Sequence, residues 1–304
     1  MSEPIRPDRD GRFQQACLEL TRSQVKAIVE TYLALEERRG KLTAVVALET
    51  GTAPGVVSLF QNLSEELCPT LTSLRRTCGA YSSVSPASRW VSDLPPLGPV
   101  VAAGLAAAFI GSQINDADHL HRLCRLHPAY QEVPAPLAVR LYSRYFQSAE
   151  SVSREQLKPL GAATGRALRH VWRSSSVIPR EEVLEWLSQP ASSEFVDRLM
   201  RRVGRAFSRQ SVNFDNRFSR AYQMRLAQEK HLNETDSYVS KAQQEAKRGT
   251  GRHQADLDTY RHGKLPLWQL EEMARRWVLR QFLTEYHQRL QTSGSLGMLP
   301  PDEC

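Results

Sequence analysis

The chain is expected to be all-α, a long antiparallel helical hairpin joined to a helical core that contains a helix-hairpin-helix. Three observations lead there. Apolar residues recur at three- and four-residue spacing through most of the 304 residues. Alternation of β-branched residues never persists for more than a few positions, so strand signals are absent. Finally, Thr21-Arg22-Ser23-Gln24 and Ser153-Arg154-Glu155-Gln156 are capping boxes, in which a hydroxyl and a glutamine three residues on each satisfy the other's backbone N–H at a helix start.

Residues 1–20 read as a polar arm. In residues 21–88, Val25, Ile28, Tyr32, Leu35, Leu42 and Val46 make one narrow stripe, interrupted at Arg39. After the turn Glu49–Gly55, the residues Phe60, Leu63, Leu67, Leu71, Leu74, Cys78 and Tyr81 repeat that spacing. Two matched stripes joined by a short loop pack antiparallel, with arms roughly 40 Å long at 1.5 Å per residue. Pro69 should kink or divide the second arm. The hairpin suits a structural role, in packing or as a homo-oligomer contact.

The segment 89–133 holds the most specific local pattern. Leu94-Pro95-Pro96-Leu97-Gly98-Pro99 forces a tight turn, because proline fixes φ and Gly98 accepts a conformation that other residues avoid. Val100 to Phe109 follows as a helix of small apolar residues, with Pro99 at its first turn. In a helix-hairpin-helix the N–H groups that open the second helix point at a phosphate, which makes Leu97, Gly98 and Val100 candidate nucleic-acid contacts. The usual hairpin has glycine where this chain has Pro96, which removes one donor; the bland alternative is an αα-corner without a ligand. Asp116, Asp118, His119 and His121 lie on a following short helix. The two histidines are two apart and face different sides, so a capped helix start is expected there and no metal site.

Residues 134–292 read as a basic helical domain and 293–304 as a disordered tail rich in Gly, Ser and Pro. Within the domain, a turn over Gly161–Gly165 and a basic helix with Arg166, Arg169, His170 and Arg173 resemble a helix-turn-helix reader, and Ile178-Pro179-Arg180 opens another helix. Between Arg198 and Arg225 there are eight arginines and a single acid, Asp215, so this segment alone carries the formal net charge of +7. Its arginines alternate with Phe207, Phe214, Phe218 and Tyr222, which predicts aromatics inside and arginines outside, available to a nucleic-acid backbone. Candidate contacts are Arg201, Arg202, Arg205, Arg209, Arg217 and Arg220. The polar stretch 228–252 reads as partly mobile. The last helix should bury Leu270, Met273, Trp277, Leu283, Tyr286 and Leu290, leaving Arg275 and Arg276 as further contacts and Arg280 and Arg289 at the surface.

The longest apolar run, Pro99 to Ile110, falls short of the ~20 residues that span a bilayer, and the charged N-terminus lacks the apolar core of a signal peptide. Five scattered cysteines without metal-ligand spacing suggest a reduced, cytoplasmic protein that needs no cofactor.

Three blocks carry a family resemblance. SPxSRWxxxLPPLGPVVAAGLAA from Ser85, GRAFSRQSVNFDNRFSRAYQMRLAQEKHLNE from Gly204 and YRHGKLPLWQLEEMARRWVLRQFLTEYHQ from Tyr260 resemble a family of bacterial mobile-element proteins usually labelled transposase. The hairpin block is also similar to the C-terminal part of DEDD-type, RNA-guided insertion-sequence transposases. The family's His-Ile-His-Ala-Arg-Ala is here Gln269-Leu270-Glu271-Glu272-Met273-Ala274, and the acidic RuvC-like nuclease domain of the full transposases has no counterpart. Those enzymes are thought to use a serine downstream of the hairpin; Ser148, Ser151 and Ser153 lie in that region, and no flanking motif singles one out. The resemblance implies a DNA-binding accessory protein of a mobile element, with RNA as the alternative ligand. Two other classes remain open, a strand-transferring recombinase subunit and an oligomeric assembly protein.

Overall fold

The computed structural model describes residues 7–48, 54–83, 85–110, 114, 116–126, 135–161, 168, 177–181, 183–184, 194–209, 216–248 and 254–292. Among these the regular structure is α-helical, apart from short 3-10 and π turns and one small sheet. The all-α expectation holds. No helix among the described residues is long and apolar enough to cross a membrane. The chain forms two compact units, one of residues 1–115 and 198–304 and the other of 116–197. These boundaries differ from breaks at 20, 88 and 133, because the N-terminal arms and the C-terminal third share one core, which no local pattern reports.

The first unit begins with α1 (Pro7–Leu18), a helix in place of the expected arm; its Cys17 is buried, and Arg76 lies 4.7 Å over the Phe13 ring. The helix α2 (Arg22–Leu48) opens with the predicted capping box, Thr21 N–H donating to Gln24 Oε1 at 2.9 Å and Gln24 N–H to Thr21 Oγ1 at 3.3 Å. It runs antiparallel to α3 (Pro54–Ser82) as expected, in a register marked by Arg39 against Cys68 at 3.7 Å and Thr43 against Ser64 at 3.5 Å. Pro69 does not divide α3, which continues through it. Burial is concentrated near the unit's core, at Val25, Val29, Tyr32, Leu33, Leu71, Cys78 and Tyr81, whereas Leu63 is exposed. The predicted stripe is therefore core only in its proximal half.

After Ser85 the chain forms α4 (Pro86–Asp93), a tight turn, and α5 (Gly98–Phe109), which is buried from Val100 to Ala106 and packs on α2, α3 and α4.

In the second unit α6 (Ala117–Leu123) is the predicted short helix, its N-terminus capped by Asp116, which accepts from the His119 N–H at 2.6 Å. His121 is buried, with Nδ1 3.5 Å from Asp118. Next come α7 (Ala135–Leu141), β1 (Ser151–Ser153) and α8 (Arg154–Leu157), the last opened by the predicted capping box with Ser153 N–H donating to Gln156 at 2.7 Å. The strand β2 (Val177–Pro179) pairs antiparallel with β1, placing Val152 opposite Ile178 in a small core with Leu141, Phe146 and Leu157. This sheet overturns the expectation that strands are absent; Ile178 and Pro179 belong to β2, and the expected helix begins directly after them, at Arg180 and Glu181. Strands of three residues are too short to show alternation in a sequence. Arg166, Arg169, His170 and Arg173 lie outside the described residues.

The unit boundary falls inside α9 (Glu194–Ser208), and the first unit resumes at Arg198. There follow α10 (Arg217–Glu234), α11 (Val239–Arg248), α12 (Gln254–Arg261) and α13 (Leu267–Thr292). A Cβ on Gly104 would come within 2.8 Å of Leu199, which shows how closely α9 approaches α5. Trp90, Phe207, Phe218 and Phe282 stack into one aromatic cluster, with Phe207 5.0 Å from Phe218 and Trp90 5.6 Å from Phe282. Phe207, Phe218 and Tyr222 are thus inside as predicted, while Phe214 lies outside the described residues. The stretch 228–248 is helical, since α10 runs to Glu234 and α11 packs back through Tyr238, whose hydroxyl donates to the buried Glu229. Along α13 the expected Leu270, Leu283, Tyr286 and Leu290 are buried, Met273 and Trp277 are only half-buried, and the core face widens to take in Ala274, Val278, Leu279 and Phe282.

Candidate nucleic-acid interface

The site is built around the turn between α4 and α5. Leu97 N–H donates to the Leu94 carbonyl at 2.8 Å, the Pro95–Pro96 peptide is cis, and Gly98 takes φ +71°. That left-handed φ is the conformational demand that glycine meets, and it falls on Gly98, two positions after Pro96. A helix leaves its first amides without intrahelical acceptors; Pro99 has none to offer, which leaves Gly98 and Val100 as the donors. The Leu97 and Val100 side chains are buried. Of the three candidates in the turn, a ligand would therefore meet backbone and not side chain.

The turn lines a cavity of about 370 Å³ together with Tyr32, Glu36, Arg75, Ser92 and Arg202. Arg202 is an expected phosphate contact that the structure uses otherwise. It forms a bidentate pair with Glu36, with Nη2 to Oε1 at 3.0 Å, and lies 5.8 Å over the Tyr32 ring. Burial pushes the Glu36 carboxyl up, but the hydrogen bonds and charge of Arg202 outweigh it and hold the group below the ordinary glutamate range. The charge of Arg202 is thus largely neutralised within the protein.

Arg75 is the cation that sequence reasoning missed. It is exposed, its Nη2 stands 4.0 Å from where a Gly98 Cβ would be, and no carboxylate pairs with it among the described residues. Arg75 and Arg76 are the only basic residues in α3, a signal that was available. Asn216 was also missed: its Oδ1 accepts from the N–H groups of Phe218 at 2.9 Å and Ser219 at 3.0 Å, and its Nδ2 donates to the Pro95 carbonyl. One side chain therefore caps α10 and fixes the hairpin turn.

The remaining arginines sort by partner. Arg217 pairs with Glu285 and stacks 4.8 Å over Phe218. Arg275 pairs with Glu272 at 2.5 Å, and its stem covers Gly204. Both make contacts within the first unit, Arg217 with its side chain still 52% exposed. Arg289 lies 4.5 Å over Trp90 and pairs with Glu285 at 3.0 Å. Arg201, Arg205, Arg209, Arg220 and Arg276 have exposed side chains. Helical spacing reports the face on which each arginine lies but not the residues brought opposite it. Ser148 and Ser151 are exposed and Ser153 opens α8. Burial raises the Cys78 thiol to about 12, which leaves it a poor nucleophile at neutral pH.

No protein-family profile matches the chain, and neither a curated protein nor a solved structure proves similar to it.

Proposed function

We propose that the protein binds DNA through the opening of α5 and the exposed arginines of α9 and α10, as an accessory factor of a mobile element. The observation that carries the binding part is the position of Arg75 beside the left-handed Gly98, where a guanidinium that no carboxylate pairs among the described residues and the start of α5 line one cavity. Amides at a helix start and a guanidinium both favour a phosphate oxygen. Arg201, Arg205 and Arg220 extend positive charge along the same unit. Contacts of this kind neutralise phosphates and read few bases, so affinity should be mainly electrostatic. The mobile-element part rests on the sequence resemblance. A strand-transfer role has weaker support, since among the described residues none of the three candidate serines has a partner that would activate it as a nucleophile.

The test is binding of the full chain to labelled duplex, single-stranded and branched DNA, and to RNA, across roughly 50 to 200 mM salt. Wild type should lose affinity steeply with salt. Arg75→Ala and the double change Arg201→Ala with Arg205→Ala should each flatten the slope, by up to about 0.9 for every phosphate no longer neutralised. Equal inertness of wild type and variants towards every nucleic acid would sink the reading; tighter binding to RNA than to any DNA would move it to that ligand.

A further inference from the structure

The distal half of the α2–α3 hairpin carries an apolar face that no described residue of the first unit covers. Val56, Leu59 and Leu63, spaced by three and four residues along one side of α3, are 41%, 55% and 39% exposed. Single exposed apolar residues are ordinary, but a helical stripe of them at the end of an arm is a patch that calls for a partner. Charge is missing there as well. From Leu42 to Leu63 the one charged residue is Glu49, in a chain that is 24% charged. Loss of charge around exposed aliphatic residues is the composition of an interface core and not of a solvated arm.

We infer that this face is the contact between two copies of the chain. The absence of Lys and Arg over 42–63 argues against a nucleic acid there. A bilayer surface is also disfavoured, because the stretch has neither basic residues nor Trp or Tyr to sit at headgroups. A second copy fits on charge. Two α3 helices laid antiparallel about a two-fold axis between Leu59 and Phe60 set Val56 of each against Leu63 of the other, and bring the two Leu59 side chains within one residue, about 1.5 Å along the helix, of each other. In that register the exposed Glu65 and Glu66 of one copy lie level with the start of α3 at Pro54 in the other, a first turn that holds no acid of its own. Carboxylates are stabilised beside the positive end of a helix. The contact is short, so the dimer is weak and concentration-dependent. The inference stands independently of the nucleic-acid reading, because it uses none of the cavity residues.

Sedimentation of the full chain across roughly 1 to 100 µM, the range suited to a small interface, tests this. Wild type should rise from the monomer mass of 34.4 kDa towards twice that value. Leu59→Glu and Leu59→Lys should each stay monomeric with wild-type helical circular dichroism, and an equimolar mixture of the two should dimerise again, since the two-fold axis brings the two copies of position 59 beside each other. A wild type that stays monomeric, variants that dimerise like wild type, or a mixture that fails to pair would each overturn the proposal. Binding of a monomeric wild type to phosphatidylcholine–phosphatidylglycerol vesicles, abolished in Leu59→Glu, would overturn it in favour of a membrane.

Discussion

Asn216 donates its side-chain amide to the carbonyl of Pro95, and its Oδ1 accepts from the first N–H groups of α10. The start of one helix and the turn before another are thereby set by a single buried side chain. Replacing Asn216 by Ala removes both functions and should cost about 2–4 kcal/mol, the sum of a missing cap and a buried carbonyl left without its donor. Asn216→Ser keeps a capping oxygen and gives up only the bond to Pro95, so its destabilisation in chemical denaturation should be smaller. If the two variants are equally destabilised, the bond to Pro95 contributes everything and the cap nothing.

Gly98 and Gly79 should respond in opposite directions to alanine. At Gly98 a side chain must adopt φ +71°, a cost of roughly 1–2 kcal/mol. Gly79 lies within α3, where an added Cβ would meet Pro99 at an ordinary 3.8 Å. Gly79→Ala should therefore raise stability, by about 0.5–1 kcal/mol for a helix interior. Thermal or denaturant melts of both variants check this pair.

The Glu36–Arg202 pair predicts part of the acid limb of stability. The Glu36 carboxyl is held below its ordinary range in the folded protein, so the unfolded chain takes up the proton first. Its contribution is complete above the ordinary glutamate range and is lost as pH falls through the depressed folded value. Glu36→Gln should flatten the fall in unfolding free energy over roughly pH 5 to 3, measured against wild type. An unchanged acid limb would mean that the pair is not formed in solution.

Arg202→Ala and Arg205→Ala should separate stability from binding. Arg202 is paired and half-buried, so its removal leaves the Glu36 charge uncompensated and lowers the melting temperature. Arg205 is exposed; its removal should leave stability within about 0.5 kcal/mol of wild type and act on the salt dependence of DNA binding. The reverse outcome would show that α9 presents another face to the ligand.

Lys264 closes the other end of α10. Its ammonium donates to the carbonyls of Asn233 at 2.8 Å and Glu234 at 2.9 Å and pairs with Asp236 at 2.5 Å. A cation at a helix C-terminus satisfies carbonyls that lack intrahelical donors. Lys264→Met should cost about 1–2 kcal/mol in denaturant melts.

What was legible in the chain was local. Both capping boxes form as written, because the hydroxyl and the glutamine that satisfy each other lie three residues apart. The antiparallel arms, the left-handed demand at Gly98 and the burial of Phe207, Phe218 and Tyr222 were equally readable, since each depends on spacing within one or two helices. Pairings distant in sequence were decided by the tertiary structure. Helical periodicity separates an inner from an outer face, but it carries no record of which helix lies opposite. That is why Arg202, 166 residues from Glu36, read as a phosphate contact and is an internal ion pair. For the same reason Arg75, legible as a basic residue of α3, could be set beside Gly98 only by the tertiary structure, and Asn216 only once α10 began against Pro95. Short-range hydrogen bonding and side-chain period determine helices, caps and turns. Only the packing of helices from both ends of the chain determines which charges are spent inside and which face outward.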